Sequence, residues 1–179
     1  DTPDTTSTFE RRIQVTLRQL HKDGKLGDDD YKAVSPSGSI PPAAPPAIKA
    51  HKPSKDYPAR NITSHIGSPH EYLSSHLNSL LKPYIESSPF TCKNSTQFVS
   101  HVKTLTLGPD DQMISFDAEA LFPSVPIKDC IEVIRSKLVA DSNLSSRTKL
   151  SPDDICNLLD LCLSSSNFIY DDRHHTTKD

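Results

Sequence analysis

At 179 residues, 34% of them hydrophobic, the chain is long enough for one modest domain with its own core. Its formal net charge is -3, no run is long and apolar enough to span a membrane, and no signal-peptide pattern opens it, so no membrane partner is expected. Cys92, Cys130, Cys156 and Cys162 lack any Cys-x-x-Cys spacing, which predicts buried thiols in a reducing compartment, nuclear or cytoplasmic. Fifteen Pro against five Gly, and no Trp, predict stretches of fixed, irregular backbone. Met113 is the only methionine, so the chain is expected to be a fragment or a processed piece.

The charge is uneven. Residues 32–107 carry eight Lys and Arg against three acids, a local +5, whereas residues 108–179 carry seven against thirteen, a local -6. A basic middle suits phosphate contact, and an acidic end suits a metal or plain solubility.

In chain order, Ser7-Thr8-Phe9-Glu10 reads as a capping box. Phe9, Ile13, Leu17 and Leu20 then share one helical face that ends near Gly24. Arg11, Arg12, Arg18 and Lys22 make the opposite face basic, for solvent or for nucleic acid. A second short helix is expected around Asp28 to Ala33.

Residues 35–59 hold Pro36, Pro41, Pro42, Pro45, Pro46, Pro53 and Pro58. Proline has no amide proton and restrains the residue before it, so extended backbone and edge strand are expected. Lys49, Lys52, Lys55 and Arg60 follow in or just after this stretch. Lysine offers a compact point charge to phosphate and arginine a planar fork.

Ser68-Pro69-His70-Glu71 is a helix start, with a capping Ser, Pro at the first position and Glu at the third. Tyr72, Leu73, Leu77, Leu80, Leu81 and Tyr84 form its apolar stripe, and Pro83 is expected to end or kink it. A helix from Thr96 to Leu105 is expected to bury Phe98, Val99 and Val102. Met113 to Phe116 reads as a short buried strand that ends on the carboxylate of Asp117. Phe122 arrives five residues later, and Pro123 and Pro126 stop the backbone from continuing. A strand-end acid near an aromatic suits a divalent ion beside a flat substrate, and equally a turn or cap. Helices are expected over Ile127–Leu138 and Pro152–Leu163, then a strand at Asn167–Tyr170 and a hairpin turn at Asp171-Asp172.

The stretch Ser115-Phe116-Asp117 through Leu121-Phe122-Pro123 to Val125-Pro126 resembles motif A of reverse transcriptases, in the form found in Penelope-like elements. Lys49-Ala50-His51-Lys52-Pro53 resembles that family's Pro-Lys-Ile-His-Lys-Pro segment, and Arg60-Asn61-Ile62-Thr63-Ser64-His65-Ile66-Gly67-Ser68-Pro69 its Arg-Pro-Ile-Val-Ser-Ser-Ile-Gly-Ser-Pro. Ser151-Pro152-Asp153-Asp154-Ile155 resembles the start of its next helix.

The resemblance implies an α+β fold, part of a right-hand polymerase, with helices on a small, mostly antiparallel sheet. Residues 1–34 would be an N-terminal helical segment, 35–107 a fingers-like region, and 108–179 the start of a palm before the template-grip and Asp-Asp motifs. It implies RNA-directed DNA synthesis from an RNA template, a DNA primer and deoxynucleoside triphosphates, with two Mg²⁺ ions in the complete enzyme. Asp117 would be the catalytic, metal-holding carboxylate. Lys52 and Arg60, and more weakly Lys49, would grip the triphosphate, and Phe122 would lie beneath the sugar. Tyr170-Asp171-Asp172 lacks the residue that separates Tyr from Asp-Asp in the family's box, and reads as a strand end and turn. A chain with one such carboxylate is expected to be inactive alone. The competing reading is a degenerate, non-catalytic nucleic-acid-binding relic.

Overall fold

A computed structural model describes residues 3–44, 47–48, 59–60, 62–86, 88, 91–118, 121–164 and 167–176, with backbone alone for 47, 48, 59, 60, 86, 122 and 123. These residues form an α+β arrangement of eight helices and four short strands. The helices are α1 (Thr6–Lys22), α2 (Asp28–Val34), α3 (Glu71–Glu86), α4 (Ser95–Val102), α5 (Leu121–Ser124), α6 (Ile127–Ala140), α7 (Leu144–Arg147) and α8 (Pro152–Leu163). The strands are β1 (Ala47–Ile48), β2 (Ala59–Arg60), β3 (Asn167–Tyr170) and β4 (Arg173–Thr176).

Helix packs on helix to make the core: α1 on α2, α2 on α3, α3 on α8 and α8 on α6. The expected stripe of α1, Phe9, Ile13, Leu17 and Leu20, is buried. It joins Leu73, Leu77 and Leu80 of α3, Ile131 and Leu138 of α6, and Ile155 and Leu158 of α8 in one cluster. Ile13, Leu17 and Ile155 are 0% exposed, and burying each such side chain contributes roughly 1.5–3 kcal/mol. The core therefore draws on every third of the chain.

Local chemistry sets the helix ends. Ser151 accepts from the Asp154 amide while the Asp154 carboxylate accepts from Ser151, a reciprocal cap that starts α8 where the sequence places it. The expected box at Ser7 does not form. Asp4 caps Thr6 at 2.8 Å instead, and Glu10 accepts from the Ser39 amide at 2.8 Å, because a distant amide is the better partner. Ser68 is likewise not the cap of α3. Its hydroxyl is buried without a partner, and the Glu71 carboxylate holds the Gly67 amide at 2.6 Å. Gly67 has φ +75, and a Cβ there would meet the Ile40 side chain at 2.9 Å, so the turn into α3 requires glycine. Pro83 lies inside α3 and does not end it.

The strands form two antiparallel pairs, β1 with β2 and β3 with β4, and isolated bridges from Ala43 to Ser64 and Ile169 lie between them. The Ile40 amide donates to Gly67 at 2.9 Å, Ala43 and Ser64 exchange bonds of 3.0 and 2.6 Å, and Ala47 and Ile48 pair with Arg60 and Ala59. All these pairs keep a single antiparallel register, so the described parts of residues 40–48 and 59–67 lie side by side as the two sides of an arm. On the arm's other edge the Ala44 amide donates to Ile169 at 2.8 Å, and the Ile169 amide to Pro42 at 2.7 Å, which sets β3 parallel to it. β4 closes the far side antiparallel to β3. Asp171 and Asp172, with φ of 50 and 57, make the left-handed turn between them.

Two expectations about burial are overturned. Met113 to Phe116 is neither strand nor buried: Met113 and Ile114 are 70% exposed and Phe116 90%. An isolated strand has no stability of its own, and this run has no hydrogen-bonded neighbour among the described residues. α4 buries nothing, with Phe98 54% and Val99 47% exposed. Its apolar stripe instead borders an open recess with Leu105, Leu107 and Met113. Of the thiols expected to be buried, Cys156 is, whereas Cys92 is exposed.

Candidate functional site

Arg60 stands on β2, the return strand of the arm, opposite Ala47. The residues between β1 and β2 include Lys49, Lys52 and Lys55 in the sequence; these three lie outside the described residues. His65, itself exposed, and the turn at Gly67 lead from the arm to buried His70 at the start of α3, while basic residues cluster in the arm's sequence beyond β1.

Asp117 lies in the extended segment ahead of α5, and its side chain is exposed. It is therefore not at the end of a buried strand, as the sequence suggests. No hydrogen bond or ion pair engages Asp117 among the described residues. Phe122 begins its turn of α5 one residue after Leu121 and is described by backbone alone. Tyr170, Asp171 and Asp172 are a strand end and hairpin turn on β3 and β4, remote in topology from the Asp117 segment.

The donor set for Mg²⁺ is incomplete. Near-octahedral oxygen ligation needs several carboxylate, carbonyl or water oxygens, and a catalytic pair needs more than one carboxylate. Among the described residues no three His, Cys, Asp or Glu side chains converge on a common point. Asp117 is a single carboxylate, and the described residues do not by themselves fit a metal pair.

Sequence reasoning missed a histidine pair at the base of the arm. His70 Nε2 and His65 Nδ1 are 2.8 Å apart, and Phe9 of α1 meets the His70 ring edge-on with centroids 5.9 Å apart. His70 is 5% exposed and its Nδ1 has no partner. Burial, with a smaller contribution from His65, pushes the His70 pKa down to about 4, and burial lowers that of His65. The pair borders a cavity of about 470 Å³ with Glu71, Ser74 and Cys162, whose thiol burial pushes up to about 11. Two neutral rings and a protonated thiol offer hydrogen bonds but no nucleophile. The signal in the sequence was two histidines flanking a Gly67 turn.

A second polar knot ties α3 to the end of α6. Tyr84 donates to Asp141 at 2.5 Å, and Arg147 reaches Tyr84 at 2.7 Å, the Leu80 carbonyl at 3.2 Å and the Asp141 carboxylate. The Tyr84 bond holds the Asp141 carboxyl below its ordinary range. This knot fixes packing and leaves no group free for chemistry.

Against known proteins, no family model, curated protein or solved structure matches the chain. Among the described residues no helix is long and apolar enough to cross a membrane.

Proposed function

We propose that the chain is the fingers and first palm segment of a retroelement reverse transcriptase, an RNA-directed DNA polymerase that is inactive in this portion alone. The reading rests on the resemblance at Ser115-Phe116-Asp117 and at Arg60 through Pro69. The single observation that supports it best is the arm: one antiparallel register from Ile40 and Gly67 to Ile48 and Ala59, with Arg60 on its return strand.

In this reading Arg60 and Lys52, helped by Lys49, hold the triphosphate of an incoming deoxynucleotide. Arginine's fork suits two phosphate oxygens and lysine's ammonium a third. Asp117 carries one oxygen ligand for Mg²⁺, which when bound stabilises charge on the reacting phosphate. Phe122 fills the space beneath the sugar and excludes a 2′-hydroxyl. The test is direct titration of the chain with a fluorescent deoxynucleoside triphosphate in Mg²⁺. Saturable binding that Arg60→Gln weakens supports the assignment, and binding indifferent to Arg60→Gln overturns it.

A further inference from the structure

Arg11, Arg18 and Lys22 stand at i, i+7 and i+11 of α1, a single narrow row on the side of the helix opposite Ile13 and Leu17. All three are exposed, and Arg12 flanks them with its guanidinium 5.8 Å from the centroid of Phe9. Among the described residues none of these four cations is paired with a carboxylate. The one acid within α1, Glu10, is drawn off the row by the Ser39 amide at 2.8 Å and Gln14 at 3.2 Å. Lys25, the next cation along, is already committed to Asp154. Val15 sits 55% exposed in the middle of the row, at the rim of a recess of about 410 Å³ shared with Thr8, Thr16 and Leu161.

At a rise of about 1.5 Å per residue, the three cations lie roughly 10 and 6 Å apart along the axis. A knot of cations would fit one compact anion, whereas a row fits a linear one. We propose that the outward face of α1 contacts a nucleic-acid backbone, Arg11, Arg18 and Lys22 following the phosphates of one strand while Val15 rests against sugar. The proposal rests on the reading of the chain as part of a polymerase that handles RNA and DNA, and it adds a surface outside the nucleotide site. The chain as a whole carries a net charge of -3 and repels polyanions, so attraction must come from such a local row and must weaken with salt.

The experiment is fluorescence anisotropy of a labelled RNA–DNA heteroduplex over a salt series, with wild type, Arg11→Gln/Arg18→Gln/Lys22→Gln, and Arg60→Gln. All three substitutions are at exposed positions, and an unchanged urea midpoint certifies the fold. The triple variant is expected to bind at least about tenfold more weakly at low salt. Its log–log salt slope should be shallower by about three, from loss of counterion release at three contacts with a duplex. Arg60→Gln should keep most of the duplex affinity. An unaltered slope in the triple variant overturns the proposal, as does a wild type that binds no duplex at low salt. Displacement of the duplex by polyglutamate at equal charge concentration also overturns it, in favour of an acidic protein partner. Failure here leaves the triphosphate titration untouched, since that measurement contains no duplex and reads Arg60.

Discussion

Lys25, just beyond the end of α1, gives two hydrogen bonds to the single carboxylate of Asp154, at 3.0 and 2.8 Å, across 129 positions of sequence. The same carboxylate accepts from the Ser151 amide at 2.9 Å and completes the cap of α8. Burial alone would raise the Asp154 pKa, but the bonds from Lys25 and Ser151 outweigh it, and the group stays charged below its ordinary 3.8. One acid thus starts the last helix and fastens the first to it.

Asp154→Ala removes both roles, and the loss of cap and charged bonds should cost about 1–3 kcal/mol. Lys25→Met should cost less, because the Lys25 side chain is 39% exposed and the cap survives. A lowered carboxylate stabilises above the unfolded-state value and loses that contribution as pH falls through the folded one. Asp154→Asn should therefore flatten the acid limb below about pH 4. Urea midpoints against pH decide it, and an Asp154→Ala midpoint equal to wild type would remove the residue from this account.

His70 acts on the same acid side of the pH profile, at higher pH than Asp154. Its pKa is near 6.5 unfolded and about 4 folded, so between those values the unfolded chain holds more protons. Stability is then fully present above about pH 6.5 and declines as pH falls toward 4, by roughly 3 kcal/mol in all. His70→Phe keeps a ring beside Phe9 and has nothing to protonate, so its midpoint should vary less across this window. Equal slopes for the two proteins would show that another group governs it.

Arg60 is proposed to hold the triphosphate. A charged hydrogen bond contributes about 1.5–3 kcal/mol, so Arg60→Ala should weaken deoxynucleotide binding by about one to two orders of magnitude. Arg60→Lys should restore only part, since the planar fork is lost. Full recovery by lysine would mean that charge alone matters and would leave the fork without a role.

Among the described residues Asp117 has no neighbouring ligands of the kind that a catalytic metal pair needs. The purified chain is therefore expected to give no primer extension in Mg²⁺. Extension that Asp117→Ala abolishes would show that further ligands exist in this chain and would reopen Tyr170-Asp171-Asp172. Asp117→Asn should leave the urea midpoint unchanged, as the exposed carboxylate makes no bond among the described residues.

What the sequence carries well is local. The stripe of α1, the cap at Ser151, the limits of α8 and the β3–β4 turn are all legible, because each depends on residues a few positions apart. What it hides depends on distant partners. Glu10 has the spacing of a capping residue, yet Ser39, 29 positions on, takes its carboxylate. Met113 to Phe116 has the pattern of a buried strand, but pattern cannot supply the neighbouring strand that burial requires. Of the candidate site, Arg60 and Asp117 are singled out by the resemblance alone, whereas the His65–His70 pair emerges only when the turn at Gly67 brings the rings together.

The tie between Lys25 and Asp154 also governs how the protein is made. α1 leaves the ribosome with its apolar stripe complete, while α8 is still unsynthesised. At about 5–20 residues per second the delay before Asp154 appears is on the order of ten seconds. Asn167, which donates to Thr6 at 3.4 Å across 161 positions, comes later still. For that interval α1 can pack on α2 and, through it, on α3, but the part of the core that α6 and α8 supply is missing, so the ridge of Phe9, Ile13, Leu17 and Leu20 stays incompletely covered. Slow translation through residues 71–163 lengthens that exposure, and moving α1 to the C-terminal side of α8 by circular permutation would shorten it.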